Sequence, residues 1–506
     1  MRRLDLPFYP TVVGLALILQ LMALNGVGLW VSLRVLVVTG IVAIVVTIGL
    51  RLLLGDGNRA GLAAALSMVA LTGQDHRLVA VVAILIVILF IERRVLGGRL
   101  RVPWTRIGQV SRLFATIVCL AIVIQAVQVG GMTVIARSLT QEGPLRPQRT
   151  FSGVTSAATP DIYVILLDGY ARADALRQVF DVDEQPFLDG LAARGITVSS
   201  RALTNYPNTV QVLMSMFNMS LLPDIPRLQP VLAGTTTQAI LGITHSVVMD
   251  NPLFDDLHAR GYQIVAMSSG FAEVSLREAD RFITTGSMNE VEIGLFRRTI
   301  FGDMLDAVAP DFTSSQFRDR INANFATLGE LARERPGHPR FVFAHFPSPH
   351  PPWVFNADGS HRTVPVIGNI FADDPSTGLT EDELKKGYAG AVEYLHQPVL
   401  DAIDAIDSGS AVPPVIVIFG DHGSWVGAVP GDVRLRFLPL LAARVPGHDD
   451  PLPDDETLVN VFPDLMDSLF GDSFARVDPA PSYMFGAGGE YNLYQLDDPN
   501  AAITTP

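Results

Sequence analysis

The chain has 506 residues, of which 49% are hydrophobic and only 17% charged. Soluble globular domains carry about a quarter charged residues, so this composition excludes a disordered or collagen-like chain and argues against a wholly soluble one. The single cysteine, Cys119, excludes an internal disulfide framework and any multi-thiolate metal centre.

Charge is unevenly divided. Through Arg137 there are 13 arginines against 4 acidic residues; beyond it there are 24 basic and 47 acidic residues, and the only lysines are Lys385 and Lys386. The two parts are different physical objects. An acidic domain lacks the basic surface that releases counterions from phosphates, so no nucleic-acid partner is expected.

Five apolar runs occupy the first part, near 8–29, 32–54, 60–73, 78–92 and 113–135. A helix that crosses a bilayer takes about 20 such residues. The third and fourth runs are short, and the third, GLAAALSMVALTG, also suits an interfacial placement. Arg2 and Arg3 precede the first run, Arg51 and Arg59 flank the second gap, and Arg93, Arg94, Arg99, Arg101, Arg106 and Arg112 crowd the fourth. The opposite gaps carry mainly Arg34 and Arg77. The positive-inside rule makes the Arg-rich gaps and the amino terminus cytoplasmic. Five spans then place everything after Arg137 outside, as in a multi-pass inner-membrane protein with an extracytoplasmic domain. A cleaved signal peptide is the alternative for the first run, and the four runs that follow argue against it. Residues 138–160, rich in Ser, Thr, Pro and Gly, read as a linker.

From 161 to 506 the pattern changes to short β-branched runs alternating with helical stretches. The spacing predicts strands at 161–167, 262–267, 340–346 and 414–420, with helices near 184–194, 315–334 and 381–407. That alternation predicts an α/β domain with a mostly parallel sheet and helices on both faces. Ligands of such sheets sit beyond the carboxyl ends of the strands. The first strand ends at Asp168, the third at His345 with His350 and Trp353 following, and the fourth at Asp421 and His422. Asp168, Asp421 and His422 offer two hard oxygens and one nitrogen, a set suited to Mn²⁺ or Zn²⁺; Mg²⁺ and Ca²⁺ remain open. Thr209, at the start of a predicted helix, would sit at its positive end and serve as a metal-activated nucleophile. His345 and His350 are suited to bind an anion or protonate a leaving oxygen. Each residue also has a plain structural reading. Asp-Gly makes turns, Thr209 would serve as an N-cap, and the 381–407 stretch with His396 would be an ordinary amphipathic helix flanking the sheet.

At VILLDG (164–169), NYPNT (205–209), FVFAHFPSPHPPWVF (341–355) and IFGDHG (418–423) the chain resembles the sulfatase-like hydrolase and transferase branch of the alkaline phosphatase superfamily. Its overall plan is similar to that of lipoteichoic acid synthases and lipid A phosphoethanolamine transferases, in which five membrane helices precede an outer domain of this fold. The resemblance implies a metal held by Asp168, Thr209, Asp421 and His422, with Thr209 as the residue that becomes phosphorylated. It implies substrate contacts from His350, His345 and Trp353; Arg172, four residues past Asp168, is added as a phosphate contact. No Cys/Ser-x-Pro-x-Arg motif surrounds Thr209, which argues against sulfate-ester hydrolysis. No Asp-x-x-x-His lies between Thr209 and Asp421, which favours one metal. The first acidic ligand is often Glu in the two transferase groups and is Asp here. The expectation is a membrane-anchored transferase that passes a phospho-alcohol head group from a lipid to an envelope lipid or glycan. A phosphoric ester hydrolase is the alternative, and a non-catalytic membrane scaffold the third reading. The lipid bilayer and a lipid-linked or glycan substrate are the expected partners, and the sequence leaves the oligomeric state open.

Overall fold

The computed structural model describes residues 6–24, 33–72, 76–97, 103–121 except 115 and 119, and 159–496 with gaps, the larger being 233–243, 294–301, 363–378 and 428–432. Cys119, most of the fifth apolar run and most of the predicted linker lie outside the described residues. The chain divides into two compact units, one comprising Met1–Ile135 with Asn289–Pro310, the other Ala136–Met288 with Asp311–Pro506.

The first unit is helical: α1 (Tyr9–Leu24), α2 (Leu33–Leu54), α3 (Gly57–Thr72) and α4 (His76–Phe90). A π-helical turn, Ile91–Val95, continues α4 directly. Small residues let the helices approach closely, as in membrane bundles. Ala60, Ala63 and Ala64 of α3 are fully buried against Leu50 and Leu54 of α2 and Leu89 of α4. The weakly apolar third run is thus the packing surface of the bundle. Val37, Ile41, Ile44 and Val45 of α2 and Val81, Ile84, Val87 and Ile88 of α4 are exposed, an apolar surface that water would not favour. Among the described residues α2 alone, at 22 residues, is long and apolar enough to cross a bilayer by itself.

One end of this unit gathers its charges. Arg59 of α3 reaches Glu92 in the π turn at 2.9 Å, with its guanidinium 4.6 Å above the Trp104 ring. Arg94 donates to the last carbonyls of α2, Leu53 at 3.1 Å and Leu52 at 2.9 Å, which have no partner inside their own helix.

The second unit is built on a seven-stranded sheet: β1 (Ile162–Leu167), β2 (Thr197–Val198), β3 (Gln263–Met267), β4 (Arg281–Ile283), β5 (Arg340–Phe346), β6 (Val415–Phe419) and β7 (Leu441–Arg444). The order is β2-β7-β6-β1-β5-β3-β4. The run β6-β1-β5-β3-β4 is parallel, and β7 and β2 close one side antiparallel. Every residue of β1, β5 and β6 is buried, which explains their apolar runs.

Helices cover both faces. On one, Ile162, Val164, Leu166, Phe341, Phe343, Val417 and Phe419 share a core with Thr209–Asn218, Pro252–Ala259 and Val461–Phe470. On the other, Phe325 of Phe312–Arg333 stacks on Phe346 at 4.1 Å, and this helix packs along Glu381–Gly409. The expected α/β layering, a mostly parallel sheet with helices on both faces, is what the described residues of this unit have. A separate hairpin, β8 (Tyr483–Gly486) with β9 (Gly489–Gln495), follows near the end of the chain.

Candidate metal centre

β1 lies between β5 and β6 and runs parallel to both, so residues at their carboxyl ends share one edge. Asp168 follows β1 directly. His345 is paired with Leu166 across the β1–β5 ladder. Asp421 and His422 follow β6 after Gly420. The turns are tight. Gly169 has φ +75°, and a Cβ at Gly420 would run into the Tyr170 backbone carbonyl.

Thr209 arrives from a different element. Asn208 is the N-cap of the helix Thr209–Asn218; its side chain accepts from the Val210 N–H at 3.0 Å. Thr209 is therefore the first helical residue and is not needed as the cap. Its hydroxyl bonds to the Asp421 carboxyl, where it opposes in part the upward pKa shift that burial imposes on that group.

Asp168, Asp421 and His422 are buried at 1%, 0% and 2% exposure, and one ligand atom from each lies within 4.8 Å of the others. His422 Nε2 stands 3.8 Å from Asp168 Oδ1 and 3.4 Å from Asp421 Oδ2, too far for good hydrogen bonds. Both of those carboxylate oxygens are buried without a hydrogen-bond partner. The other oxygens are held. Asp168 Oδ2 lies 2.9 Å from His345 Nε2, and Asp421 Oδ1 accepts from the Gly169 N–H at 2.9 Å. His422 Nδ1 is 2.7 Å from the Gly423 carbonyl oxygen, which can only accept. The proton of a neutral ring is thus on Nδ1, and the Nε2 lone pair faces the two bare carboxylate oxygens.

Burial disfavours the Asp168 carboxylate, but His350, His345 and His422 together outweigh it and hold its pKa at about 2. Asp421 moves the other way: burial and the charge of Asp168 push it up, against His422, the Thr209 hydroxyl and the Gly169 amide. Two buried carboxylates with bare oxygens aimed at one imidazole lone pair are costly until a cation joins them. The donor set fits a divalent cation that accepts mixed oxygen and nitrogen ligands.

The remaining predicted residues are placed as follows. His345 is buried and faces Asp168, where it holds one carboxylate oxygen in place. The His350 backbone N–H donates to the Asp168 carbonyl at 2.8 Å, and the residue lines a cleft beside His422. Trp353 walls the same cleft, is 2% exposed and donates its indole N–H to the Pro349 carbonyl at 2.8 Å. Arg172 is not brought to the cleft lining. It grips both oxygens of Asp174 at 2.8 Å and donates to the Ala202 carbonyl at 2.9 Å.

Sequence reasoning missed Tyr388, from the helix Glu381–Gly409. Its hydroxyl donates to the Gly169 carbonyl at 2.7 Å and accepts from the Ala171 N–H at 3.0 Å, which fixes the loop that carries Asp168. His396 of the same helix is more than a flanking residue. It lies 2.9 Å from buried Glu184, which also accepts from the Tyr170 hydroxyl at 2.9 Å. Helical periodicity marks this helix as amphipathic and carries no signal for either pairing. Trp425, over which the Arg436 guanidinium sits at 3.0 Å, also lines the cleft; it stands in the sequence three residues past His422.

No protein-family model and no curated protein matches this chain. Solved structures are similar to it at low identity. The C-terminal periplasmic domain of EcEptC from Escherichia coli, in complex with Zn, is 13% identical, covering 62% of this chain and 83% of that one with a TM-score of 0.41. The lipoteichoic acid synthase LtaP from Listeria monocytogenes is 17% identical over 71% of this chain and 82% of its own, with a TM-score of 0.39. The phosphonate monoester hydrolase of Agrobacterium radiobacter is 15% identical over 61% and 73%, with a TM-score of 0.39.

Proposed function

We propose that this protein is a membrane-anchored, metal-dependent phosphotransferase. In this reading it moves a phospho-alcohol head group from a lipid, through Thr209, to an acceptor in the cell envelope. The observation that carries the reading is the pair of buried, partnerless oxygens of Asp168 and Asp421 facing His422 Nε2 beside the Thr209 hydroxyl. Asp168, Asp421, His422 and Thr209 would hold one divalent cation, Zn²⁺ or Mn²⁺. That cation would supply charge neutralisation for the phosphoryl group and lower the pKa of the Thr209 hydroxyl.

The chain's own residues do the rest. The Asn208 cap fixes Thr209 at the amino end of its helix, where a developing negative charge is favoured. Thr209 Oγ loses its proton to water and forms a bond to phosphorus as the bond to the lipid's alcohol oxygen breaks. His350, in the cleft, protonates that oxygen. An acceptor hydroxyl then gives its proton back to His350 as its oxygen bonds to phosphorus and the phosphorus–Oγ bond breaks, and Thr209 Oγ takes a proton from water, which restores the free side chain. Among the described residues the cleft is lined mainly by Pro349, Pro351, Trp353, Trp425 and Val426 around the two histidines, surfaces suited to the apolar face of a head group or sugar. A helical unit in the same chain with an exposed apolar surface supports a lipid donor, since a tethered site meets membrane-bound donors at high effective concentration. The same first half-reaction with water as acceptor makes a hydrolase, and product analysis with and without an added acceptor separates the two. Paired buried carboxylates that lower stability without a cation weigh against a non-catalytic scaffold.

The test is intact mass spectrometry of the full chain in vesicles of envelope lipid, loaded with Zn²⁺ or Mn²⁺. Wild type is expected to gain a phosphorus-containing adduct on Thr209, and Thr209→Ala none. Transfer by Thr209→Ala at the wild-type rate would overturn the mechanism.

A further inference from the structure

Residues Asn289–Pro310 interrupt the α/β unit in sequence yet belong to the helical unit. The chain leaves the α/β unit at Met288 and rejoins it at Asp311, so this stretch is an excursion covalently tied to that unit at both ends. Its contact with the helices is specific. Arg34, in the first turn of α2, donates Nε to one oxygen of Glu292 at 2.7 Å and Nη2 to the other at 2.6 Å. Such a bidentate guanidinium–carboxylate pair is the strongest and most directional form of ion pair. The Glu292 side chain is only 4% exposed and that of Arg34 62%, so the carboxylate is enclosed and the arginine reaches in from the rim. Ile293 beside it is buried as well, at 6% exposure.

We propose that Asn289–Pro310 is a second attachment of the α/β domain to the membrane bundle, latched by Glu292 on Arg34, and that the start of α2 lies on the same side of the membrane as that domain. The sidedness follows from length. A stretch that crossed the bilayer and came back would need about 40 residues, and the excursion from Asn289 to Pro310 is much shorter. Both of its ends join the α/β domain, so Glu292 stays on that domain's side, and Arg34 must be there to meet it. The opposite end of α2 carries Arg51, and beside it stand Arg59, Arg93 and Arg94, the cluster that the positive-inside rule assigns to the cytoplasm. The ion pair ties the start of α2 to the domain's side, and the charge bias puts the other end of α2 in the cytoplasm; the two agree when the domain is extracytoplasmic. The proposal is independent of the reaction assigned to Thr209.

Two measurements on the full chain in cells test it, in a Cys119→Ser background. An impermeant maleimide applied to intact cells is expected to treat Arg34→Cys and Asp449→Cys, an exposed position of the α/β domain, alike; labelling of one without the other before permeabilisation overturns the sidedness. A short bismaleimide is expected to join Arg34→Cys to Glu292→Cys, so that the two halves stay linked after proteolysis between them. Failure to join two cysteines that each label singly overturns the latch. As a control on charge, Arg34→Glu is expected to make the excursion at least several-fold more sensitive to protease. Arg34→Glu with Glu292→Arg is expected to restore resistance, and a double variant as sensitive as the single one also counts against the pair.

Discussion

At the scale of single residues, the site is organised around a repulsion. Asp421 is pushed up in pKa by burial and by Asp168, so ionising it is costly while no cation is bound. Its Oδ1 accepts from the Gly169 N–H, and an asparagine carbonyl can take over that bond. Asp421→Asn should therefore leave the melting temperature of metal-free protein unchanged or raise it. If the site holds the proposed cation, the same change should remove metal retention, measured by elemental analysis after dialysis, and with it the stabilisation that a bound cation would give the wild type. A metal-free Asp421→Asn that melts several degrees lower would show that the carboxylates are held by something other than a cation. These candidate ligands were legible in the sequence because each follows an apolar strand. It could not reveal Tyr388, whose hydroxyl reaches the Gly169 carbonyl across 219 positions of chain. Nor does Arg172 look different in sequence from a phosphate ligand; only the structure shows its guanidinium held by Asp174 and the Ala202 carbonyl.

At the scale of elements, the site depends on how one helix begins. Asn208 rather than Thr209 caps Thr209–Asn218, so the Thr209 hydroxyl is not committed to the cap and is left to face Asp421. The two residues should accordingly fail in different ways. Asn208→Ala removes the acceptor for the Val210 N–H and should cost roughly 1 kcal/mol in urea melts. Thr209→Ala leaves the cap in place and should cost under ~0.5 kcal/mol while abolishing the adduct. Equal stability losses for the two would mean that the hydroxyl is structural. The strands were readable because β1, β5 and β6 are buried on both faces, β1 and β6 as unbroken apolar runs and β5 as one interrupted only by Arg340 and His345. The antiparallel edge was less so: β2 has two half-buried residues and β7 only four, too few for a period to register.

At the scale of the whole molecule, charge and hydropathy divide the chain into two parts, and the structure divides it almost the same way, except at Asn289–Pro310. That excursion carries acidic and basic residues like the domain around it, so composition gives it no boundary. Its attachment depends on a partner more than 250 positions away, at Arg34. The domain also carries a buried acid unrelated to the metal centre. Glu456 is 1% exposed, and burial, followed by the nearby Asp464 carboxylate, pushes its pKa up to about 8 in spite of Arg476. Arg476 is shared by both acids, so the three groups hold one positive charge against two potential negative ones. An acid whose folded pKa lies above its unfolded value binds a proton that the unfolded chain has already lost. Its contribution is full below the unfolded value, near 4.5, and disappears as pH rises through about 8. The α/β domain should therefore lose stability between pH 5 and about 8.5 through this group. Glu456→Gln, which stays neutral and keeps an oxygen for the Thr457 N–H, should flatten that slope and melt higher than wild type at pH 8.5. Melting the full chain across this range, wild type beside variant, decides the matter. Parallel slopes would place the proton elsewhere, whereas a flattened one would show that the domain folds around a protonated Glu456.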